Sequence, residues 1–473
     1  MTQQPFYLAG AFKRGDKTLK VTNPYNGEVV GEVSLASEED IDLAIERAVE
    51  AFRTTRVMPS YERANVLTQI AAQINSRAEE FAKTMTLENG KPIQASRKEV
   101  GRAAATFSWA AEEAKRVGGE LLSLDLLKGA EWRMGFYRRF PIGPITAITP
   151  FNFPINLIAH KVAPAIAAGN PVLIKPAPQT PITALLLAEI IAGSSLIPGA
   201  VSVLPCEITA AQRLVTDERI RMLTFTGSAK VGWQLRQQAG KKKVTLELGG
   251  NAGVIVHQDA PLELAVERCA YGAFLYSGQT CISVQRIYIH QSLYQKFVEA
   301  LVERARKLKS GDPMKEDTDL GPMISQEAAE RVENWVNEAK SKGAKILCGG
   351  KRNGSFYEPT VLINTTAEMK INCEEVFGPV VTVEPYQDFQ QALALMNNSR
   401  YGLQAGIFTY DIRLIHLAYL SLEVGGLMIN EIPTYRIDSM PYGGTKESGL
   451  GREGIRYAME EMMEPKLMVV NVG

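Results

Sequence analysis

The chain has 473 residues, with 52 basic and 52 acidic side chains and so no formal net charge. At roughly 100–200 residues per domain it can form two to four domains with large cores. Its 45% hydrophobic and 22% charged residues exclude the disordered and fibrous classes, and the charge balance argues against coating nucleic acid, which needs a basic excess. Five cysteines (Cys206, Cys269, Cys281, Cys348 and Cys373) are scattered without a CxxC pair, and positions 1–10 do not read as a secretory leader. Reduced thiols and a cytoplasmic protein are therefore expected. His160, His257, His290 and His416 are the only histidines, and none stands at metal-ligand spacing, so no metal site is expected. The most apolar stretch, 182–204, is interrupted by Glu189, Gly193, Pro198 and Gly199, which speaks against a membrane span.

In chain order, the first 140 residues read as helical. From Asp40, the positions Ile41, Ile45, Ala48 and Phe52 share one face, and Ser37 is a suitable N-cap. Leu67, Ile70, Ile74, Ala78 and Phe81 suggest one further long helix, stopped by Asn89-Gly90. From Gly143 short β-rich runs alternate with helical ones. Strands are expected at 145–149, 171–174, 201–204, 222–226 and 244–248, with helices at 156–168, 184–191 and 230–238 between them. The alternation resumes after Asn251, with strands at 253–256 and 286–290 and helices at 262–276 and 293–308. Such alternation implies crossover connections and mostly parallel sheets covered on both faces. The expected class is α/β, with two parallel-sheet domains in series.

Several residues could carry chemistry. Cys281 follows Ser277-Gly278-Gln279-Thr280 at a helix–strand boundary. Glycine there leaves a thiol open to substrate, although a free cysteine is as readily a buried inert one. Glu247 ends an apolar strand before Gly249 and Gly250, at the rim where α/β sheets bind ligands, and could act as a general base or stand as an exposed strand-end acid. Asn152, within Pro150-Phe151-Asn152-Phe153-Pro154, offers an amide donor suited to an oxyanion, or is a turn asparagine. Lys175 closes a strand and could reach ribose hydroxyls or phosphate. Gly227, Ser228 and Gly232 lie in a GxxxxG spacing between strand and helix, where helix-start N–H groups can hold a pyrophosphate.

Taken in order, Phe-Asn-Phe-Pro, Lys-Pro-Ala, Phe-Thr-Gly-Ser, Glu-Leu-Gly-Gly, Gly-Gln-Thr-Cys, Glu-Glu-Val-Phe-Gly-Pro and Pro441-Tyr442-Gly443-Gly444-Thr445-Lys446-Glu447-Ser448-Gly449 closely resemble the NAD(P)-dependent aldehyde dehydrogenase superfamily over essentially the whole chain. The resemblance implies a Rossmann-like cofactor-binding domain (1–121 and 140–250), a Rossmann-like catalytic domain (251–440), and a small β oligomerisation arm with a C-terminal segment (122–139 and 441–473). A homodimer or homotetramer follows. It implies that Cys281 attacks the aldehyde, that Asn152 and the Cys281 N–H hold the oxyanion, and that Glu247 activates the water that hydrolyses the thioester. Lys175 and Glu375 would hold ribose hydroxyls, Phe377 would pack beside the nicotinamide ribose and Ser228 would meet the pyrophosphate. Pro150, Pro178, Gly227, Gly232 and Leu248 complete the expected cofactor contacts. Strongly NAD-selective members resemble Lys-x-x-Glu where this chain reads Lys175-Pro176-Ala177-Pro178; the missing carboxylate leaves NADP acceptable alongside NAD. Arg102, His160 and Arg436 resemble positions where members acting on anionic aldehydes place basic groups, which implies a phosphorylated, sulfonated or carboxylated aldehyde such as a semialdehyde, unless the three pair or pack locally; lactaldehyde and glyceraldehyde 3-phosphate enzymes also lie near this pattern. Other readings are a coenzyme A-acylating dehydrogenase, a catalytically silent structural protein on the same fold, and a thiol hydrolase without nicotinamide.

Overall fold

The computed structural model describes residues 3–473. Its first sheet has eight strands in the order Gly449–Leu450, Lys243–Glu247, Met222–Thr226, Ile145–Ile148, Val172–Lys175, Val201–Val203, Phe6–Leu8 and Ala11–Lys13. The five central strands pair in parallel and the outer ones antiparallel. Buried on both faces, the central strands read as near-continuous apolar runs, as in Met222–Thr226, where every residue is buried.

The strand order reverses at Ile145–Ile148. The chain steps from it to Val172–Lys175 and Val201–Val203 on one side, then returns to its other side with Met222–Thr226. A crevice opens beyond the carboxyl ends of strands at such a switch point, because the two following connections leave in opposite directions. Here those connections are Pro150-Phe151-Asn152 and Gly227-Ser228.

A second sheet of seven strands runs Lys345–Cys348, Thr360–Ile363, Val380–Tyr386, Val284–His290, Ala252–Val256, Gln404–Phe408 and Gly426–Ile429, parallel except at its first edge. The two sheets and their helices give the mixed α/β fold expected. A three-stranded antiparallel sheet, Gly119–Ser123, Arg133–Pro141 and Met463–Asn471, projects from the body and exposes Leu121, Trp132, Leu467 and Met468. Of the segment 441–473, only this last strand joins that sheet. Gly449–Leu450 returns to the first sheet, and the helix Ile455–Glu461 packs on Asn156–Ala168. All 13 residues of Asn156–Ala168 are buried, so apolar residues run around the helix and its charged-type side chains, His160 and Lys161, pair with Asp438 and Glu453.

Two expectations fail near the N-terminus. The helical reading of the first 140 residues does not hold for Gln3–Gln4, Phe6–Leu8, Ala11–Lys13, Lys17–Thr22 and Val29–Leu35, which are strands. The expected single helix ending at Asn89 is two, Ser60–Ser76 and Ala78–Asn89, broken at Arg77 with φ −106° and ψ 20°. A one-residue break hardly displaces the apolar stripe, so periodicity bridges it. Ser37 caps Glu38–Thr55 through a capping box with Asp40, and left-handed Gly90 ends Ala78–Asn89. Among the described residues no helix is long and apolar enough to cross a membrane, and no group of three or more His, Cys, Asp or Glu side chains could hold a metal ion.

Candidate active site

The helix that leads toward Cys281 stops at Phe274, two residues before the expected end, and a short 3-10 turn, Leu275–Gly278, follows. Tyr276, Ser277 and Gly278 hold φ of 49°, 53° and 69°, left-handed in succession. For Tyr and Ser this conformation costs about 1–2 kcal/mol each, so surrounding contacts must impose it. The Tyr276 hydroxyl donates to the Asn89 carbonyl at 3.0 Å and the Ser277 hydroxyl to that of Gly321 at 2.7 Å. Only glycine fits at 278, where a Cβ would collide with the Gly378 carbonyl oxygen. A side chain on Gly250 would likewise strike the carbonyl oxygen of Cys281, so the glycine after the Glu247 strand is what lets the two sheets' connecting loops touch.

Cys281, Glu247 and Tyr442 form one hydrogen-bonded group. The Tyr442 hydroxyl lies 3.1 Å from Cys281 Sγ and donates to Glu247 Oε1 at 3.3 Å. Glu247 is 1% exposed, not a strand-end acid in solvent. Burial, then the nearby Glu453 carboxylate, push its carboxyl up to about 7. Burial and the neighbouring Glu247 hold the Cys281 thiol well above its usual range. The thiol therefore rests protonated, next to a carboxylate able to take its proton near neutral pH.

Asn152 is buried and its Nδ2 donates to the Gln279 carbonyl at 3.0 Å, leaving one amide proton uncommitted. Its backbone carbonyl oxygen accepts a bond from Lys91 Nζ at 2.6 Å. Lys91 is also paired with buried Glu99 and lies 4.0 Å from the centre of the Phe153 ring. Glu99 accepts the Ile155 and Asn156 N–H groups at 3.1 and 3.2 Å, so it caps the helix that begins there. The Phe-Asn-Phe-Pro loop is thus held by a buried ion pair that its own sequence does not reveal.

Two cavities meet at Cys281. The smaller, about 270 Å³, is lined among others by Tyr276, Thr280, Cys281 and Tyr442, and by Lys91, Lys98, Arg102, Arg268 and Arg436, with Glu99 its one acidic side chain. Arg102 donates to Asp438 from Nε at 2.9 Å and Nη2 at 2.6 Å. Arg436 donates to Glu453 at 3.1 Å, and its Cζ lies 3.6 Å from the Tyr442 ring centre. The third expected substrate residue is misplaced: His160 is fully buried and does not line the cavity. Its Nε2 meets Asp438 at 2.8 Å, behind the two arginines. Burial, then the Arg436 charge, hold the imidazole below its ordinary range.

The larger cavity, about 830 Å³, lies at the switch point of the first sheet. Pro150, Asn152, Gly227, Ser228, Glu247, Leu248, Glu375 and Phe377 line it, together with Cys281. Lys175, Pro178 and Gly232 do not. Lys175 ends the adjacent strand, its Nζ turned to the Pro176 carbonyl at 3.3 Å, so it is not beside the thiol. Gly232 faces Leu248, where a Cβ would clash, and serves helix packing. Trp233, Arg331, Arg400 and Tyr401 also line this cavity, and nothing in their local sequence marked them. A dinucleotide suits the wall. The helix Ala229–Gln238 opens without a side-chain cap, and Ser228, Ala229 and Lys230 turn that uncapped end to the cavity. Glu375 accepts the Gly250 N–H at 3.1 Å and is pushed up to about 8 by burial, a carboxyl ready to bond hydroxyls.

A half-buried cysteine and a buried glutamate between a substrate-sized cavity and a dinucleotide-sized one suit an enzyme that oxidises a carbonyl compound with a nicotinamide cofactor. The chain belongs to the aldehyde dehydrogenase family, whose model matches residues 12–468, and it oxidises an aldehyde with NAD or NADP. It is similar to the 3-sulfolactaldehyde dehydrogenase of Priestia aryabhattai, 46% identical over 471 residues, covering 99% of this chain and 98% of that one. Aldehyde dehydrogenase 21 of Physcomitrella patens, solved in complex with its reaction product succinate, superposes with a TM-score of 0.98 at 47% identity, with both chains fully covered. The glyceraldehyde-3-phosphate dehydrogenase GapN of Methanocaldococcus jannaschii, solved with NADP, gives a TM-score of 0.92 at 40% identity, over 97% of this chain and 99% of that one.

Proposed function

We propose that this enzyme converts a small aldehyde bearing an anionic group to its carboxylic acid, with Cys281 as nucleophile and water as acyl acceptor. The observation that carries the reading is that Cys281 lines both cavities, so one sulfur can meet ligands from either side. The thiolate adds to the aldehyde carbon, and the free Asn152 amide proton and the Cys281 N–H bind the resulting oxyanion. When bound, NAD or NADP supplies the hydride acceptor. Glu247 then takes a proton from the water that hydrolyses the thioester, and its value near 7 suits a base working at neutral pH.

Residues of the first sheet hold the cofactor. Ser228 and the start of its helix bind the pyrophosphate, Glu375 and Lys175 the ribose hydroxyls, and Phe377 packs beside the nicotinamide ribose, with Pro150, Gly227 and Leu248 as walls. Pro178 offers no carboxylate to repel a 2′-phosphate, so NADP is accepted. The second sheet carries the catalytic domain. The three-stranded arm joins subunits of a homodimer or homotetramer, which would cover its exposed apolar edge, and the enzyme works in the cytoplasm.

The anionic substrate is supported by the small cavity's volume and basic lining, where Arg102 is part-exposed and Lys98 makes no ion pair among the described residues, while Lys91, Arg268 and Arg436 are paired with Glu99, Glu431 and Glu453. The three similar proteins point the same way, since their names or bound product specify a sulfonate, a phosphate and a dicarboxylate. A panel of neutral and anionic aldehydes, each assayed with NAD and NADP by absorbance of the reduced nicotinamide, tests it. A higher kcat/KM for anionic members and free acid formed without added thiol are expected. A preference for neutral aldehydes such as lactaldehyde removes the anion reading, and an absolute need for coenzyme A removes hydrolysis.

A further inference from the structure

We propose that Tyr442 is a catalytic residue, its phenol relaying the proton of the Cys281 thiol to Glu247 as the sulfur attacks. The inference rests on Cys281 being the nucleophile and concerns how that nucleophile is ionised.

The hydroxyl of Tyr442 is buried, and its hydrogen-bond partners are Cys281 Sγ at 3.1 Å and Glu247 Oε1 at 3.3 Å. A phenol has one proton. Since a carboxylate can only accept, that proton points to Glu247, which leaves the phenol oxygen free to accept from the thiol; Glu247 also lies near enough to Cys281 to interact with it directly, so the relay is the route that depends on the Tyr442 hydroxyl. The chain S–H to O–H to carboxylate is thus ordered in one direction. A buried tyrosine needs a partner for its hydroxyl, but any backbone carbonyl would serve. Here both partners are reacting groups.

The surroundings fit the transfer. Arg436 stacks on the ring, with Cζ 3.6 Å from its centre, and the guanidinium steadies charge that develops on the phenol as its proton moves. Arg436 is itself held by Glu453, which also accepts from Lys161 Nζ at 2.9 Å. His160 and Asp438 lie on the far side of Arg436, and Glu375 lies beyond Glu247. These are the charged and titratable groups around the relay.

In the step, the S–H bond breaks as the S–C bond to the aldehyde forms. The thiol proton goes to Tyr442 Oη while the phenol's own proton goes to Glu247 Oε1. Tyrosine emerges neutral, Glu247 emerges as the acid, and the negative charge sits on the former aldehyde oxygen. Glu247 sheds its proton to water in the larger cavity before it serves in hydrolysis.

Alkylation of Cys281 by iodoacetamide, followed across pH by mass spectrometry in the absence of substrate, tests the relay. Tyr442→Phe keeps the ring and removes only the hydroxyl. We expect alkylation at neutral pH to slow by roughly tenfold, kcat/KM to fall alongside it, and both to recover at alkaline pH. Glu247→Gln should slow alkylation to a similar extent, and the double variant should lose no more than either single one. Losses that multiply in the double variant, or an unchanged alkylation profile in Tyr442→Phe, overturn the relay. If Tyr442→Phe does not fold, a ring-fluorinated tyrosine at position 442 decides: its more acidic phenol should shift the alkylation profile, and an unchanged profile overturns the relay. Cys281→Ala separates the two levels: an inactive Cys281→Ala with a normal Tyr442→Phe sinks the relay alone, whereas oxidation that survives Cys281→Ala sinks the nucleophile beneath it.

Discussion

Glu453 accepts a hydrogen bond from Lys161 at 2.9 Å and another from Arg436 at 3.1 Å, and all three side chains are buried. One carboxylate thus neutralises two cations behind the active-site wall. Removing it strands both, and breaking a buried pair costs about 3–5 kcal/mol. Glu453→Gln should lower the thermal midpoint by several degrees in calorimetry, with a fall in activity because Arg436 loses its anchor. The two cations hold this carboxyl down at about 2 in the fold, against an ordinary 4.5. Its stabilising contribution is therefore present in full above the ordinary value and lost as pH falls from there toward 2. The variant should lack that part of the acid-unfolding transition, and an identical acid profile would contradict the charge assignment.

Glu247 has the opposite sign. Its folded-state value of about 7 means that the carboxylate fraction rises through neutrality. For a base that must be ionised, the hydrolytic rate should climb as pH increases and level off above about pH 8. Glu247→Gln should remove that limb and lower kcat by roughly a hundredfold or more. A burst of reduced nicotinamide should persist in the variant, slowed by roughly tenfold because the thiol loses its proton acceptor, while hydrolysis falls much further. Absence of both effects would exclude Glu247 as the hydrolytic base.

Gly278→Ala should be severe, because it combines a left-handed φ of 69° with a collision against the Gly378 carbonyl oxygen. We expect a loss of about 3 kcal/mol or more in chemical denaturation. The surviving folded fraction should show reduced Cys281 alkylation. Wild-type stability would mean that the turn is freer than its contacts indicate.

Arg102 lines the small cavity and is part-exposed, unlike Arg436. Arg102→Gln should raise KM for an anionic aldehyde by about tenfold, the loss of one charge-assisted bond, while a neutral aldehyde of equal size changes little. Equal effects on both would reduce Arg102 to a partner of Asp438.

Pro178→Glu supplies the carboxylate absent from this chain. It should lower kcat/KM for NADP by about tenfold or more while leaving NAD nearly unchanged, since only the 2′-phosphate meets the new charge. Steady-state kinetics with both cofactors decide it, and a parallel loss would place residue 178 away from the adenosine ribose.

The parts of the site legible in the sequence were those whose chemistry depends on residue type at an element boundary. Cys281, Asn152 and Ser228 each follow, and Glu247 closes, a strand or helix that the sequence pattern had already drawn. Tyr442 stood within a quoted motif yet went unassigned, because its role comes from a distance across the fold to two other segments. His160 was chosen for its type, but it lies on the helix beyond Asn156 and Leu157, which reach the cavity, and it turns to Asp438 and Arg436 instead. Lys175 stands at a strand end as expected, on the strand next to the one that leads into Asn152. The turn at Tyr276 and Ser277 left no trace, since neither residue favours the left-handed region, and tertiary bonds to Asn89 and Gly321 impose it. The N-terminal strands failed for a simpler reason. Runs of two to seven residues are too short for a period of two to stand out beside the long helices that follow.

Because the thiol stands at the junction of two separate chambers, traffic on one side need not block traffic on the other. An acyl group tethered to the sulfur can stay in the narrow basic chamber while the spent carrier departs through the wide one. Were the wide chamber vacated first, it would give solvent a path to Glu247, which lines it beside the sulfur.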